Sequence, residues 1–148
     1  MTSHRHSSLL LALSLTLGAP AFTAFEGSRA SASAPPVDGG LSVRRLVVAH
    51  DIADREPVGV GAPITTAQDR VYAFVEVRNA SNDGRAVRIQ FDGPGGRRVG
   101  NVTLEVPGAQ RRFRTWGYTR YIETPGTWRA TVIAEDGTVL ASQEFEVR

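Results

Sequence analysis

Ten consecutive residues, RRFRTWGYTR at 111–120, hold four arginines, a tryptophan, a phenylalanine and a tyrosine, and no acid. Guanidiniums pair with carboxylates and phosphates, and exposed rings stack on flat apolar faces, so together they make binding chemistry. On an extended strand successive side chains alternate in direction. Arg112, Arg114, Trp116, Tyr118 and Arg120 then face one way, and Arg111, Phe113, Thr115, Gly117 and Thr119 the other. The Phe113 set is small and less charged, so it is expected on the core face. The other set presents three cations and two large rings. From Gly93 to Ile122 six arginines stand against one acid, Glu105. A strand with a charged outer face would carry the same residues without binding anything, and a bulge at Gly117 would turn Trp116 inward. If the stripe binds, replacing Arg112 and Arg114 by alanine weakens binding and leaves thermal stability nearly unchanged.

Catalytic chemistry has less to stand on. His50 is the one histidine beyond residue 6. It lies in VVAHDIAD, and a metal site there would draw on His50, Asp51, Asp54 and Glu56. Residues 50 and 51 point to opposite faces of a strand, and the spacing fits no strong ligand pattern. No serine occupies a Gly-x-Ser-x-Gly elbow; Ser42, Ser81 and Ser142 fall on polar or turn positions. Asp92 and Glu105 are a conceivable acid–base pair for glycan chemistry. Gly93-Pro94-Gly95-Gly96 lacks the lysine and following helix of a phosphate-cradling loop. The chain has no cysteine, which excludes disulfides, thiolate nucleophiles and thiolate metal ligands. No catalytic residue, cofactor or metal is assigned.

The elements that would position the stripe read as strands. VYAFVEVRN (71–79), AVRIQFD (86–92), VTLEV (102–106), TWRATVIAED (127–136) and TVLASQEFEVR (138–148) alternate apolar and polar residues with period two. Val87, Ile89 and Phe91 share a face, as do Val102, Leu104 and Val106. Trp128 is grouped with Ala130, Val132 and Ala134 and is expected in the core. LSVRRLVVAHDIA (41–53) reads as an opening strand. Gly- and Pro-containing turns separate the runs, and Asp136-Gly137 carries a hairpin signature. Seven strands in about 108 residues match an immunoglobulin-like antiparallel β-sandwich, with a small β-barrel as the alternative. DREPVGVGAPITTAQD (54–69) shows no clean alternation and reads as an irregular crossover between sheets.

The start of the chain reads as an address. Arg5 precedes the apolar run Leu9–Leu17, too short for a bilayer-spanning helix, and Ala19-Pro20-Ala21 has the small-x-small cleavage pattern. Residues 1–21 are thus expected to be a secretory signal, 22–40 a flexible Ser/Ala/Pro/Gly linker and 41–148 the folded domain. Cleavage removes Arg5 and no acid, so the net charge of +2 falls nearly to neutral. Whole-chain charge therefore does not argue for a nucleic-acid partner, and export would separate the product from most nucleic acid. The expected product is exported, periplasmic or extracellular.

VYAFVEVRN, FRTWGYTR and the closing block GTWRATVIAEDGTVLASQEFEV together resemble the bacterial family catalogued as domain of unknown function 2914, over roughly residues 46–147. Gly126-Thr127-Trp128, Asp136-Gly137, Val139-Leu140 and Phe145 carry the likeness, sharpened by Arg114-Thr115-Trp116. The resemblance implies a small envelope-associated β-domain and no known activity. The expectation is therefore an exported binding module for an envelope glycan, anionic polymer or envelope protein. The alternatives are an assembly module docking by a sheet edge and, less favoured, an enzyme.

Overall fold

The computed structural model describes residues 40–148. The expected secretory segment and nearly all of the expected linker lie outside the described residues. Nine strands follow: β1 (Leu41–Ala49), β2 (Asp51–Ala53), β3 (Glu56–Val58), β4 (Val71–Asn79), β5 (Arg85–Asp92), β6 (Arg98–Val106), β7 (Gln110–Thr119), β8 (Gly126–Ala134) and β9 (Val139–Val147). A single 3₁₀ turn, Pro94–Gly96, joins β5 to β6. Seven of these strands build two antiparallel sheets, ordered β1-β4-β7 and β6-β5-β8-β9. The chain passes between the sheets after β4, after β6 and after β7. It is an immunoglobulin-like β-sandwich, and neither sheet closes into a barrel. Among the described residues no helix is long and apolar enough to cross a membrane.

The period-two pattern explains the core. Val71, Ala73, Val75 and Val77 of β4 turn inward and are fully buried, facing Val87, Ile89 and Phe91 of β5 and Trp128, Ala130 and Val132 of β8. Each sheet thus contributes one dry face, the arrangement that lets an antiparallel sandwich keep its other faces wet. Asn79, 1% exposed, ends β4 and ties two crossing loops together. Its Nδ2 donates to the carbonyls of Asp83 and Pro107 at 2.9 and 3.1 Å, and its Oδ1 accepts from the Ser81 amide at 3.1 Å. The Asp136-Gly137 turn joins β8 to β9 as a hairpin, with the Asp136 carboxylate accepting from the Thr138 amide at 2.9 Å.

Two expectations for residues 41–69 need correction. The opening strand does not run through to residue 53; it breaks at His50, and β2 pairs with β3 in a separate two-stranded ribbon. The segment from 54 is therefore not wholly irregular. Asp54 and Arg55 form the ribbon's turn, both in the left-handed region at φ 50° and 62°. A two-residue hairpin demands that mirror-image geometry, and each side chain there costs about 1 kcal/mol or more. The strain is offset by docking: Glu56 bonds to Arg114 of β7 at 2.5 Å and reaches Arg45 of β1 at 3.9 Å. Arg55 Nη2 donates to the Arg114 carbonyl at 3.1 Å. The ribbon is thus bonded to both outer strands of the three-stranded sheet. Farther along, Ile64 pairs in parallel with Val147 at the end of β9.

Candidate functional site

Strand β7 faces as its alternation requires. Gly117 is buried and Thr119 is 4% exposed on the inner side, where Phe113 packs against the core. Gly117 is no bulge, because the β4–β7 register runs unbroken from Val71–Thr119 to Val77–Phe113. Its missing side chain serves close approach: a Cβ there would lie 3.3 Å from Ile89 Cδ1 and from Val102 Cβ. β6 can therefore fold tightly over the β7 edge.

On the outer side, register places Arg114 opposite Glu76, Trp116 opposite Phe74 and Tyr118 opposite Tyr72. β1 continues the rows with Arg45, Val47 and Ala49. Opposed residues in an antiparallel sheet share a face, so the stripe belongs to a layered surface. Its first row is ionic. Arg112 Nε bonds to Glu76 at 2.6 Å, and Arg114 lies 3.7 Å from the same carboxylate as well as against Glu56. Its second row is apolar and covered: Phe74 is fully buried, with the Arg45 guanidinium 5.7 Å from its ring, and Trp116 is half-buried beside it.

The third row is open. Tyr118 is 43% exposed, and its ring lies 5.7 Å from that of Tyr72. The guanidiniums of Arg70 and Arg120 approach the Tyr118 ring centroid at 5.2 and 5.8 Å. Arg70 Nε donates to the Asp69 carboxylate at 3.1 Å, and its pKa is raised above its ordinary value, first by the Tyr72 side chain, with Asp69 and Tyr118 adding electrostatic support. Of the five stripe residues, then, Arg112 and Arg114 are held by acids, Trp116 is partly covered, and Tyr118 and Arg120 are presented. Arg70 and Tyr72 complete the open end and were not read from the sequence. The only available cue was that Arg70 directly precedes a strong strand.

The other candidates are dispersed. His50 Nε2 faces the Ala62 carbonyl at 3.4 Å, Asp51 accepts from the Ile52 amide at 2.8 Å, and Glu56 is committed to arginines. Among the described residues no three His, Asp or Glu side chains are placed to hold a metal ion. Asp92 sits opposite Arg98 and Glu105 opposite Ala86, six positions apart along β5. At strand rise that is about 20 Å, too far for the paired carboxylates of a glycosidase. Trp128 lies in the core at 2% exposure, and its Nε1 donates to the Thr124 carbonyl at 2.8 Å.

Comparison with solved structures agrees with this architecture. The chain superposes on the C-terminal domain of wzt with a TM-score of 0.51 at 13% identity, covering 74% of each chain. An immunoglobulin-like protein from Pseudomonas aeruginosa gives 0.45 at 17% identity, over 76% of this chain and 94% of that one. A β-glucosidase from Listeria innocua gives 0.45 at 11% identity, over 72% of this chain but 15% of the enzyme. No curated protein sequence matches the chain. A family model does match, over residues 87–147, running from within β5 to the end of β9 and including all five stripe residues. Its description is "Protein of unknown function (DUF2914)", and through that stretch, less than half of the chain, the protein is similar to this family.

Proposed function

We propose that the domain is a non-catalytic binding module that engages an anionic polymer of the cell envelope through the open end of the β7 stripe. The observation that carries the reading is the exposed Tyr118 ring flanked by the Arg70 and Arg120 guanidiniums. A ring with two cations beside it offers stacking and charge pairing at one place, and both sit on a rigid strand rather than a loop. Arg112, Arg114 and Trp116 serve this surface indirectly, by fixing the strand against Glu76, Glu56 and Phe74. The reading of residues 1–21 as a secretory signal supports an exported location, where polyanions are the envelope's own.

The test is co-sedimentation of the purified chain with isolated cell envelopes at low and high salt. Binding that falls as salt rises, and falls further in a Tyr118→Ala, Arg120→Gln chain, supports the reading, because screening weakens exposed charge pairing. Binding unchanged by both salt and substitution refutes the stripe as the contact surface. An absence of envelope binding in either buffer leaves the stripe a solvated strand face.

A further inference from the structure

A second arginine–aromatic feature lies beside the stripe, at the end of the sandwich where β5, β7 and β8 meet. Tyr121 is 64% exposed, although its chain neighbour Ile122 is buried at 2%. It lines a cleft of about 410 Å³ together with Arg97, Arg98 and Glu123, over a floor that includes Trp128 and Val99. That volume falls within the range of small-ligand sites.

The walls are fixed. Trp128 Nε1 donates to the Thr124 carbonyl at 2.8 Å, pinning the segment that follows Tyr121. The amide of Gly93 donates to the Arg97 carbonyl at 2.7 Å, closing the turn that carries the cations. Gly126 has φ 130°, and a Cβ there would lie 2.9 Å from Pro94 Cγ, so the β5–β6 turn rests directly on the start of β8. Three segments distant in sequence are thereby locked into one concave surface.

Its charges remain available. Among the described residues no carboxylate pairs with Arg97, and Arg98 reaches Asp92 only at 3.8 Å. Glu123 is exposed and likewise unpaired.

We infer that this cleft binds an anionic sugar residue, with Tyr121 stacked on the sugar ring, Arg97 and Arg98 on its carboxylate or phosphate, and Glu123 accepting from its hydroxyls. An exposed ring, two guanidiniums and one acceptor match the three surfaces of such a residue: an apolar ring face, an anionic group and hydroxyl donors. A bare anion would use neither Tyr121 nor Glu123. A neutral sugar would offer the arginines only hydroxyl acceptors, which bond more weakly than an anionic group. The inference stands apart from the stripe and shares with it only the negative charge of the ligand.

The experiment is a titration of the full, ¹⁵N-labelled chain with D-glucuronate, glucose 1-phosphate, D-glucose and inorganic phosphate, followed by amide and indole resonances. One or both acidic sugars are expected to move the Gly93 and Thr124 amides and the Trp128 indole saturably, and the stronger of the two identifies the charged group. Glucose is expected to bind about tenfold more weakly, and phosphate alone not to saturate. Tyr121→Ala and Arg97→Gln should each weaken acidic-sugar binding about tenfold, in line with the usual worth of a stacked ring or a charge-assisted bond. Tyr118→Ala should leave it unchanged. A cleft silent to both acidic sugars, or one responding equally to glucose or to phosphate, overturns the inference. If the cleft is silent while envelope sedimentation persists and depends on Tyr118, the cleft fails and the stripe reading stands.

Discussion

Arg114 separates a structural role for the stripe from a binding one. From the sequence alone, loss of Arg112 and Arg114 should be nearly neutral for stability. The structure changes that expectation, because Arg114 is 27% exposed, bonds to Glu56 at 2.5 Å and lies 3.7 Å from Glu76, itself only 12% exposed. Arg114→Ala removes the ribbon's ionic tie to β7 and leaves Glu76 to Arg112 alone. Exposed ion pairs contribute about 0.2–1 kcal/mol and better-shielded bonds to charged groups about 1.5–3 kcal/mol. With intermediate burial and two acidic partners, the cost should be about 1–2 kcal/mol. For a domain near this size that lowers Tm by roughly 4–16 °C. Arg111, exposed on the same strand and without an acidic partner among the described residues, is the control: Arg111→Ala should stay within about 0.5 kcal/mol of the parent. The assay is urea unfolding of both variants, with a double-mutant cycle through Glu56→Gln that should return about 1 kcal/mol of coupling. Equal midpoints for Arg114→Ala and the parent, or no coupling to Glu56, would refute the argument that acids hold this row of the stripe.

Two further outcomes follow from the geometry. Asn79→Ala strands the Asp83 and Pro107 carbonyls and the Ser81 amide in a nearly closed site, and should lower unfolding free energy by about 2–4 kcal/mol; a loss under about 0.5 kcal/mol in urea unfolding would show that water replaces those bonds. Asp136 has its pKa lowered, first by the backbone hydrogen bond from Thr138. A depressed carboxylate pKa contributes stability that is fully present above the unfolded value of about 3.9 and is lost as pH falls through the lower folded value. The Asp136 carboxyl carbon should therefore titrate by NMR with a midpoint below that value, and a midpoint at or above it would contradict the turn geometry.

What could be read from the chain, and what could not, divides by the range of the interactions. Strands β4 to β9 were legible because each carries its own alternation, bounded by Gly, Pro or Asp-Gly turns. The inward position of Phe113, Gly117 and Thr119 was legible for the same reason. The ribbon was not: its strands have three residues each, too short to show a period, and its turn is Asp54-Arg55, without the glycine that usually announces one. The acids that hold the stripe were equally hidden. Glu76 and Glu56 lie 38 and 58 positions before Arg114, so an acid-free window around β7 reads as an unpaired cationic strip when register supplies Glu76 and the docked ribbon supplies Glu56.

That distinction also changes where binding should be sought. Cations on the middle of a sheet meet acids from neighbouring strands, because paired strands bring whole rows of side chains within about 5 Å of one another. Cations at strand ends and in turns have fewer such neighbours. The rule is not general, since Arg88 of β5 and Arg111 of β7 have no acidic partner among the described residues and Arg70, just before β4, bonds to Asp69, but it describes the stripe: Arg112 and Arg114 are held by Glu76 and Glu56, whereas Arg120 and Arg97, just beyond β7 and just before β6, have no acidic partner among the described residues. Both unpaired cations lie near an exposed tyrosine, Tyr118 in one case and Tyr121 in the other, at the same end of the sandwich. A ligand spanning the two would meet charge and ring twice within one loop-bearing end, the region where immunoglobulin-like domains can vary their loops without disturbing the core. The sheet then acts as the rigid support, and the arginines that look most like a binding motif in the sequence are the ones the fold has already used.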